Sequence, residues 1–476
     1  MHEIFPALDV DRIRDFPADL GAFDPESLVV RYSFTREEHN AALRGIPESD
    51  ELPDHIKTVV HETTHLLHTT TTPFGLLIYR LRCQQTYLVA DAIRTIRARG
   101  ADIRFPLQKT FRSFPKNLAH EVEQRIQVWY GIELLILVMM GENEVWPAHI
   151  LSNPYLKGIT LAELFGRVQH YLAVHQSRQQ DLSALEPEEA DSRHTGVEGT
   201  LLAFDILSGG ANTLGIVESA GTISEYFGNT KLNLVQFEAV IRNSRWASTT
   251  VPKSWLIQAF GRVRASSLAE FVLSYLVLCE LALFAPILPE HRPLRKGGIN
   301  TREILPFLRW YDLLHAASEI LPMKSLADYE RYTTAVCEKA GLIPPKDVVT
   351  ASVESSPQMP SDPVERRYWK AQRVRSESPG AFMNYPFIIA RLPMDFDFPV
   401  ITYKDRTLFL KDKLTLHLFV LGYLTRALVR RMLLRSDLAV KMPYQPTEEE
   451  TAFYTGELTK LLEDALGYRV PGVSLS

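Results

Sequence analysis

The sequence predicts a mainly α fold: a large multi-helix body with a few short strands and a Pro/Ser-rich strap across its surface. Three observations predict it. Apolar residues recur at steps of three and four through most of residues 60–340. Gly and Pro fall between several of those periodic runs, where helices stop. The chain has 476 residues, 46% hydrophobic and 23% charged, which is ample material for a sizeable core.

Charge and cysteine usage narrow the setting. The 52 Lys and Arg nearly balance the 57 Asp and Glu, leaving a net charge of −5, so extended nucleic acid is not an expected partner. Cys83, Cys279 and Cys337 form no CxxC pair and no even-numbered framework, which fits a reducing cytoplasm. Charges interrupt every apolar stretch of the opening MHEIFPALDVDRIRDF, so no secretory leader is expected there. The most apolar runs are IELLILVMM at 132–140, too short to span a bilayer, and residues 271–288, which carry Glu280 at their middle. Both read as buried helices, and no membrane association is expected.

The elements follow in order. Residues 1–52 form an N-terminal segment in which SLVVRYSF at 27–34 is β-branched and aromatic enough for a strand. The TREEHNAAL that follows suits a short helix, with Thr35 and Glu38 at capping-box positions. Residues 53–342 form the helical core. Its first helix begins at Pro53, buries Val59, Val60, Thr63, Leu66 and Leu67, and presents His61, His65 and His68 along a neighbouring stripe. The β-branched run TTTTP at 69–73 ends it. A second helix runs from Phe74 to about Arg99, with Gly100 as its C-cap. Further helices are expected at 117–140, 160–177, 196–208, 214–227, 251–262, 266–286, 301–321 and 325–340. Prolines and serines from Pro344 to Pro386, among them Pro345, Ser355, Ser356, Pro357, Pro360, Pro363 and Pro379, interrupt periodicity, so 343–399 reads as a surface strap or linker, whose 344–386 segment could dock a protein partner. The remaining 400–476 reads as a hairpin in VITYKDRTLFL, a helix at 412–434, and a last helix at 448–465 with Thr447 as N-cap.

The chemistry is carried by VVHETTHLLH. His61 and His65, four apart on a helix, lie one above the other and can each give one imidazole nitrogen to a single Zn²⁺. Glu62 is rotated about 100° from His61, so it reaches beside the metal and not onto it. A carboxylate there can take a proton from a metal-bound water and return it to a leaving amine, which makes amide hydrolysis the natural reaction.

Zinc needs a further protein ligand from elsewhere. Position 71 is Thr, so the extended HExxHxxGxxH motif is absent. Glu218, in NTLGIVESAGTISEYFG, is the preferred candidate, because a carboxylate among small apolar neighbours is costly unless paired or liganded. Gly215, Ala220 and Gly221 would let its helix approach the HExxH helix closely. Glu225 is the next candidate for third ligand, with Glu280, His120, His170 and His175 as further alternatives. Accessory acid, base or oxyanion roles could fall to Tyr226, His120, His170, His175, Tyr311 or His315, and His68 could line the cleft or orient a ligand.

HETTHLLH resembles the zincin metallopeptidases, and its pairing with a distant Glu resembles their gluzincin branch. The resemblance implies His61, His65 and Glu218 as zinc ligands and Glu62 as general base of a metallopeptidase; helices filling the interval between His65 and Glu218 would cover the cleft and favour a short peptide or a dedicated protein target as substrate. VESAGTISEYF is similar to the gluzincin pattern NEGFAxYxE in its initial Glu, its small residues and its later aromatic, with Ser219 where those enzymes have Gly. The 153 residues between His65 and Glu218 exceed the interval in thermolysin-like members, and no upstream edge-strand signature for holding peptides is recognisable.

Two other functions compete. The pairs ETTH and DLLH, with Glu62, His65, Asp312, His315, Glu218 and Glu280, could build a two-metal carboxylate site in a helical bundle, of oxidoreductase type. A non-catalytic interaction or regulatory protein with a structural zinc site would use the same motif with four protein ligands closing the metal.

Overall fold

A computed structural model of the chain describes residues 21–25, 27–45, 52–107, 116–140, 213–226, 229, 231–243, 253–295, 305–381, 400–405, 407–409 and 413–475. The helices expected at 160–177 and 196–208 lie outside them.

The architecture is mainly helical. Strands β1 (Gly21–Asp24) and β2 (Val29–Tyr32) lead into helices α1 (Arg36–Gly45), α2 (Asp54–Thr71), α3 (Pro73–Ala98) and α4 (Lys116–Met140). Helices α5 (Thr213–Ser224), α6 (Leu234–Asn243), α7 (Lys253–Arg262), α8 (Leu268–Leu283), α9 (Pro306–Ala317) and α10 (Tyr329–Ala340) follow. Next come α11 (Pro345–Ser355), α12 (Pro363–Glu377), β3 (Val400–Thr402), β4 (Thr407–Phe409), α13 (Lys413–Leu434), β5 (Leu438–Val440), α14 (Glu448–Leu466) and β6 (Val473–Leu475).

Local chemistry explains many of the boundaries. The Glu38 carboxylate accepts from the Thr35 amide at 2.6 Å while the Thr35 hydroxyl accepts from the Glu38 amide at 3.1 Å, the reciprocal cap expected at the start of α1. Thr447 and Glu450 repeat it at α14. Helix α2 stops where Thr72 turns extended, and Thr72 then caps α3 by accepting from the Gly75 amide. Gly75 is required there, because a Cβ at that position would lie 1.9 Å from the Thr69 carbonyl oxygen. Gly100 takes a left-handed φ of 69° just beyond α3.

Helix α8 is the centre of the core. Every residue from Phe271 to Leu283 is buried, and α9 and α5 pack against it. Ile132, Leu135, Ile136 and Met139 of the apolar run in α4 are also interior, and Glu133 among them accepts hydrogen bonds from Arg82 of α3, Gln85 of α3 and Arg430 of α13. Burial works against ionising Glu133, but the two guanidiniums outweigh it and hold its pKa down to about 2. No helix among the described residues is long and apolar enough to cross a membrane. All three cysteines are free thiols.

A four-stranded sheet packs on the outer side of α2. Its order is β1-β2-β3-β4, antiparallel except for the parallel β2–β3 pair, so the N-terminal strands and the C-terminal hairpin form one layer. Val30, Tyr32, Phe34 and Tyr403 meet Ile56, Val59 and Val60 of α2 in that layer's own apolar cluster.

The strap expected over 343–399 is corrected between 345 and 377, where α11 and α12 stand. Pro345 and Pro363 each occupy a first-turn position, so these prolines start helices and do not interrupt them. Val348, Val364, Tyr368 and Ala371 are buried, which makes both helices part of the body. The Pro/Ser loop between them is fastened to α12: Trp369 Nε1 donates to the Ser356 carbonyl at 2.7 Å, and Arg366 Nε to the Pro360 carbonyl at 3.2 Å. Residues 382–399 lie outside the described part.

Candidate metal centre

The centre forms where α5 lies against α2. A Cβ on Gly221 would stand 2.9 Å from His61 Nε2, so the close approach requires glycine there. Three hydroxyls fix α5. Thr64 donates to Ser224 Oγ at 3.1 Å from α2, Tyr275 of α8 donates to Ser219 Oγ at 2.8 Å, and Thr213 donates to the Met139 carbonyl of α4. Glu218 is thereby presented to the histidine stripe.

His61 Nε2 stands 3.4 Å and His65 Nε2 stands 3.5 Å from the same Glu218 oxygen, Oε2. The three ligand atoms lie within 4.8 Å of one another, and among the described residues no other group of His, Cys, Asp and Glu converges in this way. Both His–Glu separations exceed the range of about 2.7–3.2 Å for a good N–H···O bond. They match instead the edges of a tetrahedron around zinc, since ligands at about 2.0–2.1 Å from the ion stand roughly 3.3–3.4 Å apart. Two imidazoles and a carboxylate are also a donor set that zinc prefers, so the residues present fit the ion.

Glu225 does something different. Its Oε1 accepts from His61 Nδ1 at 2.7 Å, an ordinary hydrogen bond that fixes the ring and leaves Nε2 facing Glu218. The sequence offers Glu225 as a rival to Glu218; in the structure it bonds instead to the other nitrogen of His61. The two imidazole rings meet edge to face, with centroids 4.6 Å apart.

Electrostatics follow from this packing. Burial opposes charging His61, but Glu218 and Glu225 outweigh it and raise its pKa to about 10. Burial likewise opposes ionising Glu218, yet His65 and His61 hold its carboxyl well below the usual range. Glu62 is 6% exposed, and burial pushes its pKa up against the opposing pull of His65 and His61. His68 stays neutral, its pKa lowered to about 3 by burial and then by His65 and Arg375. The centre remains open: side-chain exposure is 17% for His61, 28% for Glu218 and 21% for Glu225.

The other sequence candidates go elsewhere. Glu280 pairs with Arg375 at 2.5 Å and accepts from Tyr329 OH at 3.0 Å, so it is not the third member of the group. His315 Nδ1 accepts from Arg262 at 2.7 Å, and Tyr311 is 44% exposed with Arg262 over its ring. Asp312 and His315 do not join His65 and Glu218. The Tyr226 ring packs on Phe237. His170 and His175 lie outside the described residues, as does the side chain of His120. Strand β1 was missed by sequence. It is an outer strand of the sheet, and Gly21 lies so close to α2 that a Cβ there would be 3.2 Å from Glu62 Cγ and 2.5 Å from Thr58 Cγ2. Its signal was faint: four residues, GAFD, with one glycine at the contact.

No family model, curated protein or solved structure matches this chain. The functional reading therefore rests on the residues.

Proposed function

We propose that this protein is a zinc-dependent hydrolase that cleaves amide bonds in peptides or in a dedicated protein target. The observation that carries it is the convergence of His61 Nε2, His65 Nε2 and Glu218 Oε2 within 4.8 Å of one another beside Glu62, with both imidazole nitrogens at tetrahedral-edge spacing from the carboxylate oxygen. His61, His65 and Glu218 hold the ion. A zinc ion held there supplies Lewis acidity, lowering the pKa of water and polarising a carbonyl.

The chain's own groups do the rest. Glu225 keeps His61 in the tautomer with the proton on Nδ1, so that Nε2 is free to ligate. The Glu62 carboxylate takes a proton from water and delivers it to the leaving amine; its raised pKa brings it nearer the working range of a general base that must later act as an acid. Among the described residues three donors converge, and His61 and Glu218 are partly exposed, which supports catalytic use of the site with a solvent-accessible coordination position. β1 is an outer strand of the described sheet and its Gly21 lies against Glu62, so an extended peptide adding a strand at that edge would run near Glu62, which supports a peptide substrate.

The test is Glu62→Gln. The variant is expected to fold and to keep one zinc per chain while losing cleavage of a mixed peptide library, read by mass spectrometry. Cleavage at the wild-type rate by the variant sinks the assigned mechanism, and zinc-free wild-type protein after reconstitution sinks the metal site.

A further inference from the structure

Glu280 and Arg375 form a buried ion pair away from the metal group, with side-chain exposures of 3% and 4%. Such pairs lose much of their attraction to desolvation, and apolar residues often stabilise a core as well. The pair's further bonds run to the metal helix. Arg375 Nη1 donates to the Thr71 carbonyl at 2.5 Å, and Gln372 Nε2 donates to the same oxygen at 2.9 Å. Thr71 is the last residue of α2, and the next residue is extended, so no glycine cap serves that end. Two side chains of α12 satisfy its carbonyl instead, with a guanidinium at the negative end of the helix dipole.

Helix α8 is the common reference. Glu280 holds Arg375, and through it the end of α2, six residues or about 9 Å along the helix from His65. Tyr275, five residues earlier on α8, donates to Ser219, the neighbour of Glu218. One helix, buried from Phe271 to Leu283, thus reaches both donor-bearing helices through specific polar contacts, at Ser219 of α5 directly and at Thr71 of α2 through Arg375.

We infer that α8 is the template of the metal centre: Tyr275 and the Glu280–Arg375 pair are positioning residues that set the separation of the α2 histidines from Glu218. The inference rests on the proposed metal site, so zinc and cobalt uptake by the wild-type chain is measured first, and absence of uptake sinks that site and the template with it. Two variants then isolate the template. Tyr275→Phe removes one hydroxyl, and Glu280→Leu/Tyr329→Phe/Arg375→Met exchanges the charged network for apolar packing, while Gln372 keeps its bond to Thr71. Each is expected to bind zinc at least about tenfold more weakly, the scale for loss of a group that orients a ligand. The visible bands of the cobalt form are expected to shift, and the metal-free protein to remain folded by circular dichroism. A purely structural network would lower the melting temperature and leave zinc affinity and the cobalt spectrum of the folded protein unchanged, and that result overturns the template. If the triple variant does not fold, Tyr275→Phe alone decides: wild-type zinc affinity and spectrum in that variant also overturn it.

Discussion

At the scale of single residues, the site depends on the absence of a side chain as much as on the presence of others. Gly221 leaves the space that the His61 ring fills, and a methyl group there would press on its Nε2 at 2.9 Å. The ring cannot swing away freely, because Glu225 holds its far side. Gly221→Ala is therefore expected to weaken zinc binding by about tenfold or more, the scale for disturbing a ligand's orientation, with a smaller effect on the metal-free fold. Competition against a chelating dye measures it, and wild-type affinity would show that α5 can retreat at no cost. Glu225→Ala acts on the same ring from the opposite side. It removes the acceptor for Nδ1–H and is expected to lower zinc affinity about 10- to 100-fold, read by the same assay.

At the scale of elements, the hairpin of α2 and α3 fixes where the histidine stripe points. Its turn is too tight for any side chain at position 75, since the obstacle is the Thr69 backbone at 1.9 Å and not a flexible side-chain tip. Gly75→Ala is expected to destabilise the protein by roughly 3 kcal/mol or to prevent folding, at or beyond the upper end of ordinary overpacking. Urea titration of the two proteins tests this, and a change under about 0.5 kcal/mol, the scale of a neutral surface substitution, would contradict the turn geometry. The elements legible in sequence were those whose ends carry their own chemistry. The Thr35–Glu38 pair, the Thr447 cap and Gly100 all stand where their local patterns predicted. Helix α6 went unrecognised between two expected helices. Helices α11 and α12 were hidden because proline reads equally as a breaker and as a first-turn residue; only the burial of Val348, Tyr368 and Ala371 decides between the two.

At the scale of the whole molecule, the charge balance of the centre would couple the proposed metal binding to pH. The folded pKa of His61 is about 10, against 6.5 for an unperturbed imidazole. Because the folded value is raised, protonated His61 stabilises the metal-free protein fully below about pH 6.5, and that contribution fades as the pH rises through about 10. Zinc needs the imidazole neutral and must displace this proton. Apparent zinc affinity is therefore expected to rise between pH 6.5 and 10, with about one proton released per ion near pH 8. Calorimetry in buffers of different ionisation enthalpy counts that proton, and an affinity flat from pH 7 to 9 would contradict the assignment.

The sequence by itself determined the helical character of the chain, the stripe of His61 and His65 with Glu62 beside it, and the small residues that permit a close helix neighbour. These are properties of spacing along one segment, and a helix converts spacing into direction without help from the rest of the chain. Tertiary structure decided which carboxylate faces the stripe. Glu218, Glu225 and Glu280 all sit in apolar surroundings in the sequence; packing sends the first to both imidazoles, the second to the far nitrogen of one, and the third to Arg375. It also decided that a strand from the N-terminus would lie beside Glu62. Those outcomes depend on where α5 and β1 come to rest against α2 and where Arg375 of α12 meets Glu280 of α8, and no local pattern encodes a distance between segments tens to hundreds of residues apart.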